Sequence, residues 1–261
     1  MNTQQAYLDF ITEMIAEAGE HALKHFRSKL QVDNKGSDIF DPVTQADREV
    51  EQFIRDRITR AYPQHNIIGE EFAPTVSTDS MTWIIDPIDG TRSFVSGLPV
   101  WGILVGVMDG DKCVAGGMRQ PVLGESWVGD GRHSYLIRDN VKIENKVRQR
   151  DKLADAVLCC THPYMYPEEE SLARFNRVLR ACQFSRFGTD CMGYAMLASG
   201  YVDLVIEGGL SSYDIMPLIP VIEGAGGIVT DWQGNSAASG GLIIAAGNEN
   251  LYQQAMSLLN P

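Results

Sequence analysis

An α+β fold is what this chain of 261 residues predicts, and two observations carry it. Two helical hydrophobic patterns come first, and a run of short strand patterns follows them with no helical pattern between. After a charged stretch at 140–153 the pattern changes and strands alternate with helices.

Tyr7, Phe10, Ile11, Met14, Ile15 and Ala18 recur at helical spacing, continued by Ala22 and Phe26, which predicts a helix over 4–28. A Gly/Asp/Pro-rich loop occupies 34–44. A second helix begins near Thr44–Asp47, buries Val50, Phe53, Ile54 and Ile58, and ends at Tyr62-Pro63. Strands are predicted at 82–86, 102–108, 112–118, 125–129 and 133–138, with Asp109-Gly110 as a hairpin turn. Consecutive strands after two helices suggest a mostly antiparallel sheet flanked by helices. The stretch NVKIENKVRQRDKL (140–153) marks the boundary between an N-terminal half, 1–145, and a C-terminal half, 146–261. In the second half, strands are predicted at 157–161, 184–188, 201–207, 228–232 and 242–247. Helices are predicted over 168–182, 190–199 and 214–225, with a last one capped by Asn248 and ending near Leu259.

The formal net charge of −12 argues against binding a phosphate backbone through a basic face. The start, MNTQQAYLDF, does not read as a secretory signal, and the apolar run WGILVGVM (101–108) is too short to span a bilayer. Five irregularly spaced cysteines suit reduced thiols in a cytoplasmic protein.

The informative residues are acidic and sit at the ends of predicted buried strands or at helix starts. Glu70-Glu71 follows NIIG (66–69), Asp86 ends WII (83–85) with Asp89 three residues on, and Glu207 ends LVI (204–206). Asp47 and Asp214 open helices. Each has a plain alternative: a solvated turn for Glu70-Glu71, an Asx turn for Asp86 and Asp89, a helix cap for Asp47 and Asp214. Together they form a hard oxygen set with no His or Cys, suited to Mg²⁺, Mn²⁺ or Ca²⁺ and not to zinc. Like charges this close are costly unless a cation lies between them. Gly90-Thr91 adds backbone N–H groups able to approach an anion. Carboxylates beside an anion cradle point to metal-assisted phosphate chemistry. No GxxxxGK[ST] loop is present.

The stretches GEE (69–71), WIIDPIDGT (83–91), the distal Glu207 and Asp214, and GAGGIVTDWQG (224–234) resemble the inositol monophosphatase family of lithium-sensitive, magnesium-dependent phosphatases. The resemblance runs from Lys35 to the last strand. Within the family, GTRSFVSGLPVWGILVGV (90–107), THP (161–163), RFGTDCMGYAMLASGYVDLVIE (186–207) and YDIMPLIPVIEGAGG (213–227) look closest to the histidinol-phosphate phosphatase branch.

The resemblance implies a layered αβαβα sandwich, a homodimer, and two or three Mg²⁺ ions per site. One ion would be held by Glu70, Asp86 and the Ile88 carbonyl, a second by Asp86, Asp89 and Asp214. Glu71 would act from outside the first ring of ligands. Asp47 would hydrogen-bond Thr91, and with Glu70 that pair would activate the attacking water. Gly90 and Thr91 N–H groups would hold the phosphate. Lys35 would sit near the metals, its alternative being a solvated loop lysine. Asp190, Glu207 and Arg186 would line the alcohol pocket, with a helix cap as the alternative for Asp190. Trp101 would pack on a flat ring or, alternatively, in the core. The implied activity is hydrolysis of a small phosphorylated metabolite, L-histidinol phosphate in histidine biosynthesis, with inositol 1-phosphate as closest rival. Sugar bisphosphates, adenosine 3′,5′-bisphosphate and a non-catalytic binding or regulatory role stand further off.

Overall fold

The computed structural model describes residues 3–28, 32–34, 42–78 and 80–261. Its first helix, α1 (Thr3–His25), buries Tyr7, Leu8, Ile11, Met14, Ile15, Ala18 and Ala22 along one face. It stops short of the expected residue 28 because Arg27 takes a left-handed φ of 58°. Within the expected 34–44 loop two short strands pair antiparallel, β1 (Val32–Asn34) and β2 (Pro42–Thr44). Helix α2 (Gln45–Ala61) follows, started by a capping box in which Asp47 receives the Thr44 N–H (2.9 Å).

Seven strands then form one sheet in sequence order: β3 (Asn66–Gly69), β4 (Met81–Asp89), β5 (Gly102–Asp109), β6 (Lys112–Gln120), β7 (Glu125–Gly129), β8 (Ser134–Arg138) and β9 (Val141–Glu144). Only β3 and β4 run parallel; every other neighbouring pair is antiparallel. The short helix α3 (Thr91–Val95) lies between β4 and β5. Strand β4 runs past the expected residue 86, through Pro87, with a register shift between Asp86 and Asp89. Such a bulge tolerates the missing proline N–H and re-aims the side chains around it.

A five-stranded mixed sheet is built from the rest: β10 (Val157–Cys160), β11 (Phe184–Phe187), β12 (Leu204–Leu210), β13 (Ile228–Asp231) and β14 (Gly241–Ala246), in spatial order β11-β10-β12-β14-β13. Around it lie α4 (Glu169–Ala181), α5 (Asp190–Ala198), α6 (Ser212–Ile215), α7 (Ile219–Gly224) and α8 (Glu249–Leu259). The single helix expected over 214–225 is two, α6 and α7, because Pro217 and Pro220 bring no N–H and Pro220 opens the second.

Strand alternation sorts the layers. Ile103, Val105 and Val107 of β5 pack with α1 and α2, whereas Leu104 faces α5 and α7. On β12, Val205 faces α5 and α7, whereas Leu204 and Ile206 face α4 and α8. The order is therefore helices, sheet, helices, sheet, helices: the expected αβαβα sandwich. Gly116 and Gly129 allow the middle layer this close, since a Cβ on them would meet Pro217 and Pro220 carbonyl oxygens at 2.2 and 2.4 Å. All five cysteines are free thiols. Among the described residues, no helix is long and apolar enough to cross a membrane.

Candidate metal centre and substrate cavity

The β4 bulge and the start of α6 meet at one point. Oxygens of Asp86, Asp89 and Asp214 all lie within 4.8 Å of one another, Asp86 buried and the other two half-buried. Local hydrogen bonds hold each carboxylate. Asp86 Oδ1 accepts the Ile88 N–H (3.0 Å), an Asx turn within the bulge. Asp89 Oδ2 accepts the Cys191 N–H (2.7 Å) at the head of α5. Asp214 Oδ2 accepts the Ser211 N–H (2.7 Å) in a capping box. The Asx-turn and capping alternatives are thus realised together with the cluster.

Removal from water, then the charges of Glu70, Asp89, Asp214 and Asp47, pushes the Asp86 carboxyl well above the ordinary carboxylate range. Asp89 is pushed the same way, by burial first and then by Asp190 and Asp214. Carboxylates that resist ionisation because of burial and of one another are relieved by a divalent cation, and an all-oxygen donor set fits a hard one.

Glu70 and Glu71 follow β3, and their turn is set by Glu51, a buried residue of α2 that the sequence reading missed. Glu51 accepts the Glu71 N–H (2.7 Å) and Phe72 N–H (3.3 Å) and pairs with Arg55 (2.7 Å). Its signal was present: Glu51 and Arg55 stand four apart, with Glu51 on the stripe of Ile54 and Ile58.

Gly90 is left-handed (φ 82°) and folds the chain so that the Thr91 hydroxyl donates back to the Ile88 carbonyl (3.1 Å). This corrects the expected Asp47–Thr91 bond. Asp47 instead accepts from the Thr44 N–H and hydroxyl (2.6 Å), and it acts on Asp86 through its charge.

Beside the cluster opens a cavity of about 610 Å³. Asp89, Gly90, Thr91, Asp190, Glu207 and Asp214 line it together with Thr161, Tyr164, Tyr166 and Tyr194. Glu207, at the bend of β12, accepts from the Thr161 N–H (2.7 Å) and hydroxyl (2.9 Å), and burial pushes its carboxyl up to about 8. Asp190 is no helix cap: it accepts from the Ser93 hydroxyl (2.7 Å) and takes a φ of 43°. The Tyr194 hydroxyl is buried at the cavity wall with no hydrogen-bond partner among the described residues. Thr161, Ser93 and Tyr194 were not singled out from sequence, because their partners lie 46 or more residues away or, for Tyr194, are not found among the described residues.

One expectation fails: Arg186 lies on the edge strand β11, exposed, its guanidinium over the Phe184 ring (5.4 Å) and outside the cavity lining. Trp101 takes the core alternative, fully buried between Phe94 (4.8 Å) and Phe26 (5.4 Å). Lys35 lies outside the described residues.

The model of the inositol monophosphatase family matches residues 3–260. The chain is 39% identical over 254 residues to the chloroplastic bifunctional phosphatase IMPL2 of Arabidopsis thaliana, covering 93% of this chain and 71% of that one. It is 31% identical over 244 residues to the histidinol-phosphatase of Chlorobaculum parvum, covering 92% of each. An inositol monophosphatase structure from Zymomonas mobilis superposes over 100% of both chains with a TM-score of 0.87 at 32% identity.

Proposed function

The chain belongs to the inositol monophosphatase family, and on that premise we propose that it is a Mg²⁺-dependent phosphomonoesterase acting on L-histidinol phosphate. The observation that carries this reading is the meeting of Asp86, Asp89 and Asp214 beside a cavity whose lining also includes Asp190 and Glu207. Glu70, Asp86, the Ile88 carbonyl, Asp89 and Asp214 would hold the ions. When bound, Mg²⁺ supplies an activated water and charge to stabilise the attacking and leaving oxygens.

The remaining chemistry belongs to the chain. The left-handed turn at Gly90 presents backbone N–H groups of Gly90 and Thr91 to the phosphate. The Thr91 hydroxyl and Glu70 orient the attacking water, and the Thr91–Ile88 bond ties that hydroxyl to the β4 bulge. Asp47 adds negative charge behind the cluster, and Glu71 acts from its edge. Asp190 and Glu207 face the alcohol. Two carboxyl groups in a partly dry wall suit an ammonium group, whose charge would draw the proton off Glu207; histidinol carries such a group and inositol lacks it. Similarity to a histidinol-phosphatase at 31% supports the same substrate. Inositol 1-phosphate remains the second reading, favoured by the match to an inositol monophosphatase structure and by the ability of carboxylates to accept from hydroxyls. The protein is expected to work as a homodimer in the cytoplasm.

The test is steady-state phosphate release with Mg²⁺ on both substrates. The expected result is a kcat/KM favouring L-histidinol phosphate, abolished by chelator and lowered at least about 100-fold in Asp89→Asn. A preference for inositol 1-phosphate overturns the substrate, and near-normal turnover by Asp89→Asn overturns the site.

A further inference from the structure

We propose that Tyr164 is a specificity residue that lays its ring against the flat ring of the leaving alcohol at the mouth of the cavity. The inference rests on the histidinol-phosphate reading of that cavity.

Tyr164 stands in a one-turn 3₁₀ segment, Pro163–Met165, between β10 and α4. The backbone of this segment is tied down on both sides. The Tyr164 N–H donates to His162 Nδ1 (3.1 Å), and the Met165 N–H donates to the His162 carbonyl (3.0 Å). Tyr166 is buried, and its hydroxyl donates to the Ile206 carbonyl of β12 (3.1 Å). The segment presses onto that strand so closely that a Cβ on Gly208 would stand 2.7 Å from the Tyr166 ring. On this fixed base the Tyr164 side chain is 86% exposed, the most exposed large hydrophobic of the described residues.

Its position gives the exposure a use. Tyr164 lines the 610 Å³ cavity and also a second hollow of about 400 Å³ on its other side, where His162, Leu172 and Phe187 lie. The ring is therefore the ridge between the two. His162 packs against it with ring centroids 5.0 Å apart. A large apolar ring held over water beside a polar cavity gains most when a flat partner covers it.

The chemistry of the cavity selects that partner. Asp190 and Glu207 line the cavity, half-buried and buried where Tyr164 is exposed, and would draw an ammonium group. An imidazole attached to the same short alcohol would then lie outward, toward the mouth. Imidazole is planar, and when protonated it also gains from the negative face of the phenol ring. A puckered cyclitol offers no flat face and gains little.

The test compares wild type, Tyr164→Phe and Tyr164→Ala on L-histidinol phosphate, inositol 1-phosphate and the ringless glycerol 2-phosphate. Tyr164→Ala is expected to raise KM for L-histidinol phosphate about tenfold with kcat nearly kept. Tyr164→Phe, which keeps the face, should stay near wild type, and kcat/KM for glycerol 2-phosphate should not change in either variant. A parallel loss on glycerol 2-phosphate means the turn itself was damaged and overturns the inference. So does an unchanged KM for L-histidinol phosphate in Tyr164→Ala. If wild type prefers inositol 1-phosphate, the substrate reading falls and takes the inference with it; if wild type prefers L-histidinol phosphate, only the variants decide.

Discussion

Glu207 shows what a single buried carboxylate does to this protein. Both Thr161 hydrogen bonds favour its charged form, but removal from water outweighs them, and nearby Asp190 adds to the rise, so the group titrates at about 8 instead of 4.5. The folded chain thus keeps a proton that the unfolded chain releases. Stability from this group is fully present below about 4.5, falls as pH rises, and is lost above about 8. Glu207→Gln keeps an oxygen for Thr161 and cannot ionise. Its melting temperature relative to wild type, measured with chelator, should therefore climb between about pH 5 and about pH 8. Parallel curves for the two proteins would refute the assignment. At this scale the acidic cluster was legible in part: Asp86 and Asp214 stand at a strand end and a helix start, and what set them apart with Asp89 was a hard oxygen set with no His or Cys beside it. Turn, cap and cluster are not exclusive: Asp86 and Asp214 each use one oxygen locally and still converge on the cluster. Hydrogen-bond roles were less legible: Thr91 turned to Ile88 because the left-handed Gly90 folds it back, which residue spacing does not reveal.

Elements with a clean period were readable. The stripes of α1 and α2 and the run of β5 to β8 follow from alternation and helical spacing, because each buries one face against a neighbouring layer. Elements whose ends are set by tertiary contact were not: β4 continues through Pro87, and β9 hides in a charged stretch because it is an exposed edge strand. The end of β3 illustrates the tertiary control. Gly69 leaves room for the Glu51 carboxylate, and a Cβ there would lie 2.1 Å from Glu51 Oε1. Glu51 is held by Arg55 and by two N–H groups of the turn that carries Glu70, so it has nowhere to retreat. Gly69→Ala is therefore expected to cost about 1–3 kcal/mol of stability by overpacking. It should also lower kcat by displacing Glu70, read from thermal melts and phosphate release on the same preparation. A variant as stable and as active as wild type would show that Glu51 does not set this turn.

On the scale of the whole molecule, the site is assembled across layers. Asp86 and Asp89 come from the seven-stranded sheet, while Asp190, Glu207 and Asp214 come from elements of or beside the five-stranded one. Local patterns cannot show such a meeting, which is why the resemblance to a family, and not periodicity, anticipated it. The assembly has a thermodynamic consequence. Folding gathers Asp86, Asp89 and Asp214 within 4.8 Å in a chain that already carries a net charge of −12. The unfolded chain spreads the same charges through water, so a divalent ion that binds only the assembled site favours the folded state. Mg²⁺ at about 100 times its Kd should add about 2.7 kcal/mol. For a chain of this length that corresponds to a rise in Tm of roughly 5–10 °C. General screening of the acidic surface would also raise Tm, and the two causes separate cleanly. Sodium chloride at equal ionic strength supplies the screening without the coordination, and Asp89→Asn removes a proposed ligand while changing net charge by only one. The expected outcome is a large Mg²⁺ shift in wild type, a small sodium shift in both proteins, and loss of most of the Mg²⁺ shift in Asp89→Asn. Equal shifts from the two salts would mean that the cluster gathers no ion and that surface charge alone is being screened.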